Sequence, residues 1–109
     1  MLWNSGTWLL PVDVKETQEG YTIMLELPGS HRDDIKIWQE NGLLTISGEK
    51  KAPSGDRIHG ERVYGKFERC FRLPKDANVD KIEANYRDGV VTVEIEKLAE
   101  AKPKAIKIN

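Results

Sequence analysis

The run from Lys81 to Ile95 constrains this chain more than any other stretch. Ile82, Ala84 and Tyr86 alternate with Glu83, Asn85 and Arg87 up to Asp88-Gly89. Val91, Val93 and Ile95 then alternate with Thr92, Glu94 and Glu96. Period-two alternation on both sides of Asp-Gly predicts a β-hairpin with one buried face. The turn needs positive φ, which glycine adopts without a Cβ clash.

The remaining chain repeats the pattern. Val12 and Val14 alternate with Asp13 and Lys15. Tyr21, Ile23, Leu25 and Leu27 form a second alternating run, closed by Pro28-Gly29. Ile35 and Ile37 follow, then a second hairpin signal at Asn41-Gly42, then Leu44 and Ile46. Phe67, Arg69, Phe71 and Leu73 share one face of a further strand, with Lys66, Glu68, Cys70 and Arg72 on the opposite, wetter face. Many short strands without a convincing helix predict an all-β sandwich or barrel.

Composition narrows the function. With 109 residues the chain makes one domain, and 17 basic against 18 acidic residues leave a net charge of −1. That balance argues against nucleic acid as the main partner, since such binding needs concentrated positive charge. No apolar run approaches the length of a membrane span. Residues 1–6 lack a secretory pattern, and the single Cys70 fits a reducing compartment, so the cytoplasm is the expected location. Gly60 to Lys66 has the spacing of a phosphate-binding loop, but Phe67 stands where a magnesium-binding hydroxyl belongs, and a strand pattern follows instead of a helix. His31, His59 and Cys70 lack metal-ligand spacing, and no nucleophile, base and oxyanion site assembles. The expectation is a protein that is not an enzyme and uses no cofactor or metal.

Three segments lie outside the strand pattern. Residues 1–11 form a short apolar arm in which Leu2, Trp3, Trp8, Leu9 and Leu10 follow no helical period. Such an arm buries itself on its own domain, on another subunit or on a client. Residues 49–62 are polar apart from Ile58, between Arg57 and His59. A three-residue strand there has the form needed to pair with a sheet edge of another chain. Residues 98–109 read as an extended tail whose Ile106 and Ile108 point the same way, or else as a last strand of the same domain. Arg69 poses a separate question. A charge in an apolar row is costly, so it either snorkels to the rim or meets a carboxylate or carbonyls at an interface.

In combination these stretches resemble the small heat-shock proteins, and residues 12–97 resemble their α-crystallin domain. The resemblance rests on Glu26-Leu27-Pro28-Gly29, Asp34-Ile35-Lys36-Ile37, Leu43 to Glu49, Tyr64 to Pro74 and Ala84 to Val91, with Ile106-Lys107-Ile108 as the family's I-x-I/V tail motif. Val91 replaces the leucine usual after Gly-Val, and the arm is short for the family. The resemblance implies an immunoglobulin-like antiparallel β-sandwich with a loop strand exchanged in a dimer of the microbial type. In that dimer the strand around Arg57, Ile58 and His59 pairs with the partner's Val12 and Val14, and Arg69 lies at the interface. It implies that Ile106 and Ile108 dock between Ile35/Ile37 and Ile82/Ala84 of a neighbouring dimer, building a larger homo-oligomer. It also implies an ATP-independent holdase for unfolding client proteins, with Leu2, Trp3, Trp8, Leu9 and Leu10 as candidate client contacts. The alternative is a co-chaperone adaptor domain of similar fold, against which the loop strand and the I-x-I tail both speak.

Overall fold

The computed structural model describes residues 10–109 and the backbone of residues 2–4. Its strands are β1 (Leu2–Asn4), β2 (Val12–Glu16), β3 (Gly20–Glu26), β4 (Ile35–Glu40), β5 (Leu43–Lys50), β6 (Gly65–Arg72), β7 (Ala77–Arg87) and β8 (Val90–Lys97). They form two four-stranded sheets, ordered β1-β6-β5-β4 and β2-β3-β8-β7, with every pairing antiparallel. Two single-turn 3-10 helices, Arg32–Asp34 and Ala99–Ala101, complete the described elements.

Local chemistry explains the hairpins. Asp88 and Gly89 have φ of 53° and 76°, and Asn41 and Gly42 have 52° and 78°. Two successive positive φ values give the primed turn whose twist matches the flanking strands. Each turn then fixes its ladder, with Arg87 opposite Val90 and Glu40 opposite Leu43. That register sends Ile23, Leu25, Leu44, Ile46, Phe71, Val91, Val93 and Ile95 inward, all buried. The alternating apolar positions of the sequence therefore become one core between the sheets.

Two expectations change, and the exchanged loop strand, which needs a second chain, is not engaged here. The apolar arm is not wholly irregular: Leu2–Asn4 add a strand to β6, with Trp3 opposite Cys70. Leu10 is buried in the core, so its side chain is taken up by its own domain. Trp8 and Leu9 lie outside the described residues. Cys70, expected on a wetter face, is buried; it sits between β5 and β1 rather than at a sheet edge, 3.8 Å from the Thr45 hydroxyl. Finally, Arg57–His59 form no strand in the single chain, and Ile58 is fully exposed. A strand without a ladder partner has nothing to hold it extended.

The start of β3 is tied to the far end of the sheet. The Tyr21 hydroxyl donates to Asp76 Oδ1 at 2.6 Å and lies 3.5 Å from Glu16 Oε2. Lys97 Nζ reaches the same Glu16 oxygen at 2.9 Å and stands 5.4 Å from the Tyr21 ring centroid. The hydrogen bond to Asp76, then burial, push the Tyr21 phenol well above its ordinary value. A raised folded pKa means that the native state holds the proton more tightly, so stability is present below the ordinary tyrosine value of about 10 and declines as pH rises through it. Tyr21→Phe should cost about 1.5–3 kcal/mol at neutral pH, the range for a hydrogen bond to a charged acceptor. Urea denaturation at pH 7 and pH 11 checks this: the gap between wild type and variant should narrow at the higher pH.

Candidate interaction surfaces

Four surfaces follow from this architecture. The first is the free edge of β2, which pairs with β3 on one side and with no strand among the described residues on the other. Val12 packs against the core, and Val14 is 37% exposed. An unpaired strand edge presents alternating donors and acceptors, a template for a strand from elsewhere.

The second is the loop between β5 and β6. The Arg57 and Arg62 guanidinium groups each stand 5.2 Å from the Tyr64 ring centroid, so both can interact with its π system. His59 Nε2 lies 2.7 Å from Glu61 Oε2, both side chains well exposed. Ile58 stands clear of these contacts, an apolar side chain wholly in solvent.

The third is a groove between the two sheets, where edge strand β4 faces edge strand β7. It holds about 280 Å³ and is lined mainly by Ile35, Ile37, Ala84, Tyr86 and Val91, with Arg32 among its walls. Tyr86 is fixed there because its hydroxyl donates to the Leu27 carbonyl at 2.6 Å and lies 3.1 Å from that of Ser30. Three of the four residues expected in the groove share it. Ile82 lies on the same face of β7 as Ala84 and Tyr86, opposite buried Ile95, and packs against the core beyond the groove's lining. Sequence reading missed Tyr86 and Val91 as lining residues, although Tyr86 continues the Ile82-Ala84 alternation and was open to the same argument.

The fourth is the tail. Its root is held by two backbone hydrogen bonds, Lys97 N to the Glu19 carbonyl at 2.9 Å and Leu98 N to that of Asp76 at 2.8 Å. Lys102 Nζ lies 3.6 Å from Glu19. Beyond it the chain enters no sheet, and Ile106 and Ile108 are 90% and 92% exposed.

Arg69 is neither at the rim nor paired with a carboxylate. It is 4% exposed, and its Nη1 donates to the Leu10 carbonyl at 2.6 Å. Its Nε has no partner among the described residues, and burial pulls the guanidinium below its ordinary pKa. The contact links β6 to the end of the arm, within one chain.

A family model described as the Hsp20/alpha crystallin family matches residues 13–109. The chain is 43% identical over 102 residues to a 22.0 kDa heat shock protein of Arabidopsis thaliana, covering 89% of this chain and 52% of that one. It is 36% identical over 106 residues to small heat shock protein C2 of Rickettsia felis, covering 93% and 69%. Among solved structures, a small heat-shock protein from Xylella fastidiosa superposes with a TM-score of 0.80 at 35% identity, covering 94% and 97%. The chain spans about half the length of the first curated relatives it matches. Since these relatives include plant proteins, the expected microbial type is not supported.

Proposed function

The chain belongs to the Hsp20/alpha crystallin family, and from that premise we propose that it is an ATP-independent holdase, binding partly unfolded proteins and preventing their aggregation. The observation that carries the reading is the family match over residues 13–109. The free β2 edge, the inter-sheet groove and the exposed Ile106/Ile108 pair support it, because each is an interaction surface rather than a reaction centre. In this reading the loop strand around Arg57, Ile58 and His59 crosses to the β2 edge of a second copy, near Val12 and Val14, with Arg69 close by. Dimers then join through Ile106 and Ile108. The arm residues Leu2, Trp3, Trp8 and Leu9 are the proposed client contacts; Leu10, being buried, leaves that set. The proposed compartment is the cytoplasm.

Heat-induced aggregation of a model client, followed by light scattering at stoichiometric ratios with and without ATP, tests the activity. Equal suppression in both conditions is expected. No suppression, or suppression only with ATP, would turn the reading toward an adaptor or an ATP-dependent activity. The loop has its own test. Ile58→Asp places a charge where the proposed dimer buries an isoleucine, a loss of about 1.5–3 kcal/mol before the charge is counted. Sedimentation should show at least about a ten-fold weaker dimer, by the equivalence of 1.4 kcal/mol to a factor of ten. An unchanged dimer would exclude the crossing strand.

A further inference from the structure

An indole stands on a sheet face where the rest of its strand is charged. On β4, Ile35 and Ile37 pack against the core, so Lys36, Trp38 and Glu40 turn to the solvent side. Trp38 is 45% exposed. Its register partner is Thr45, and the partner of Thr45 on β6 is Cys70. Trp3 of β1 holds the next position, opposite Cys70. One cross-strand row of this sheet therefore runs Trp38, Thr45, Cys70, Trp3, with two of the chain's three tryptophans at its ends. In the neighbouring row Glu40 pairs with half-buried Leu43, and Leu43 with Arg72. Trp38, Leu43 and Thr45 line a hollow of about 350 Å³ together with Glu40, Asn41 and Arg72. Arg72 Nη1 donates to the Asn41 carbonyl at 3.3 Å, which holds the guanidinium at the border.

Starting from the proposed holdase activity, on which this step rests, we infer that the row is a client-binding surface. It takes an extended apolar segment of a partly unfolded protein, with a large side chain laid against the Trp38 indole and backbone carbonyls within reach of Arg72. Size decides the kind of partner. A tryptophan 45% exposed offers roughly 100 Å², whereas a stable interface between folded proteins needs about 800 Å² from each partner. The hollow is therefore too small to hold a folded face or a second copy. It suits one side chain of a flexible segment that finds further contacts elsewhere. Glu40 and Arg72 carry opposite charges, so the border does not select clients by sign. The β2 edge belongs to the other sheet, and the groove is bordered by Ile35 and Ile37 on the opposite face of β4. A copy engaged in the proposed dimer and larger assembly thus keeps the row open. Trp3, one of the proposed client contacts of the arm, makes the row continuous with them.

Two measurements on the full chain test it. In the first, heat-denatured malate dehydrogenase is the client and its aggregation is followed by light scattering. Trp38→Thr keeps a β-branched residue in the strand. It should require about five-fold more protein for half suppression, whereas Trp38→Phe should stay near wild type. Native mass spectrometry and thermal melting of each variant alone should match wild type. In the second, photoreactive benzoylphenylalanine replaces Trp38 or, as a control, Glu83, which is exposed on the other sheet. Irradiation during heating should link the client to position 38 and not to position 83. Undiminished suppression by Trp38→Thr, or equal linkage at both positions, overturns the surface while leaving the holdase activity standing. A changed assembly in Trp38→Thr, or linkage from position 38 to other copies alone, makes the row an interface between copies and overturns it as well. If the wild type itself suppresses nothing, the holdase reading falls, and the client surface falls with it.

Discussion

Replacing Arg69 by glycine should lower stability by about 2–4 kcal/mol, which for a domain of this size is a melting shift of roughly 10 °C or more. Three losses contribute. The Leu10 carbonyl loses its donor at 2.6 Å in a buried setting, an orphaned acceptor costing about 1–3 kcal/mol. The space filled by a side chain only 4% exposed is emptied, and its attraction to the Phe71 ring, 5.7 Å away, is lost. Glycine within a strand adds about 0.5–1 kcal/mol of backbone entropy. One gain opposes them. The guanidinium is buried with its Nε unpartnered among the described residues and faces a carbonyl rather than a carboxylate, so removing it relieves a desolvation penalty. Arg69→Met separates these effects, because it keeps most of the volume while discarding the charge. It should cost less than half as much as glycine. A glycine variant that melts within about 2 °C of wild type would mean that the Leu10 contact carries no net stability, since 1 kcal/mol corresponds to several degrees.

That arginine also shows how far sequence reaches into this fold. Its face was legible: Phe67, Arg69, Phe71 and Leu73 alternate, and all four are buried. Its partner was not, because the Leu10 carbonyl is a backbone atom 59 positions away in an arm without periodicity. Both hairpins could be read because Asp88-Gly89 and Asn41-Gly42 carry their conformational requirement in two adjacent residues. Tyr21 and Asp76 could not be paired in advance, since nothing local to either names a partner 55 positions distant.

Strand alternation reports a face, but not which strands lie beside it. Cys70 alternates as a solvent-side residue and is nonetheless buried, on a strand flanked by β5 and β1. The three-residue β1 carries too short a run for alternation to show. The candidate groove follows the same rule. Ile35, Ile37 and Ala84 were placed in it through the family resemblance, and the structure brings them together. Ile82 keeps the same face in the same ladder, opposite buried Ile95, and packs against the core one step beyond the groove's lining, after the ladder slips between Ala77 and Ile82. A ladder irregularity of this kind leaves little mark on the spacing of apolar residues.

Exchanging both Ile106 and Ile108 for glycine should dissolve any assembly larger than a dimer and leave the sandwich intact. The two side chains are almost wholly exposed within one chain, at 90% and 92%. Their removal therefore takes nothing from the core, and the melting temperature of the domain should not move. Their value lies in burial elsewhere. Each isoleucine contributes about 1.5–3 kcal/mol on complete burial, less the loss of freedom when an extended tail is ordered. Two such anchors make a reversible link, and an assembly held by several tails loses all of them at once in the double variant. The proposed dimer draws instead on Ile58 and the β2 edge, which the substitutions do not touch. Native mass spectrometry across concentration should show dimers where the wild type forms larger species. Identical distributions would make the pair a passive tail. Collapse to monomer would place the tail in the dimer contact, and the groove between β4 and β7 would lose its proposed occupant.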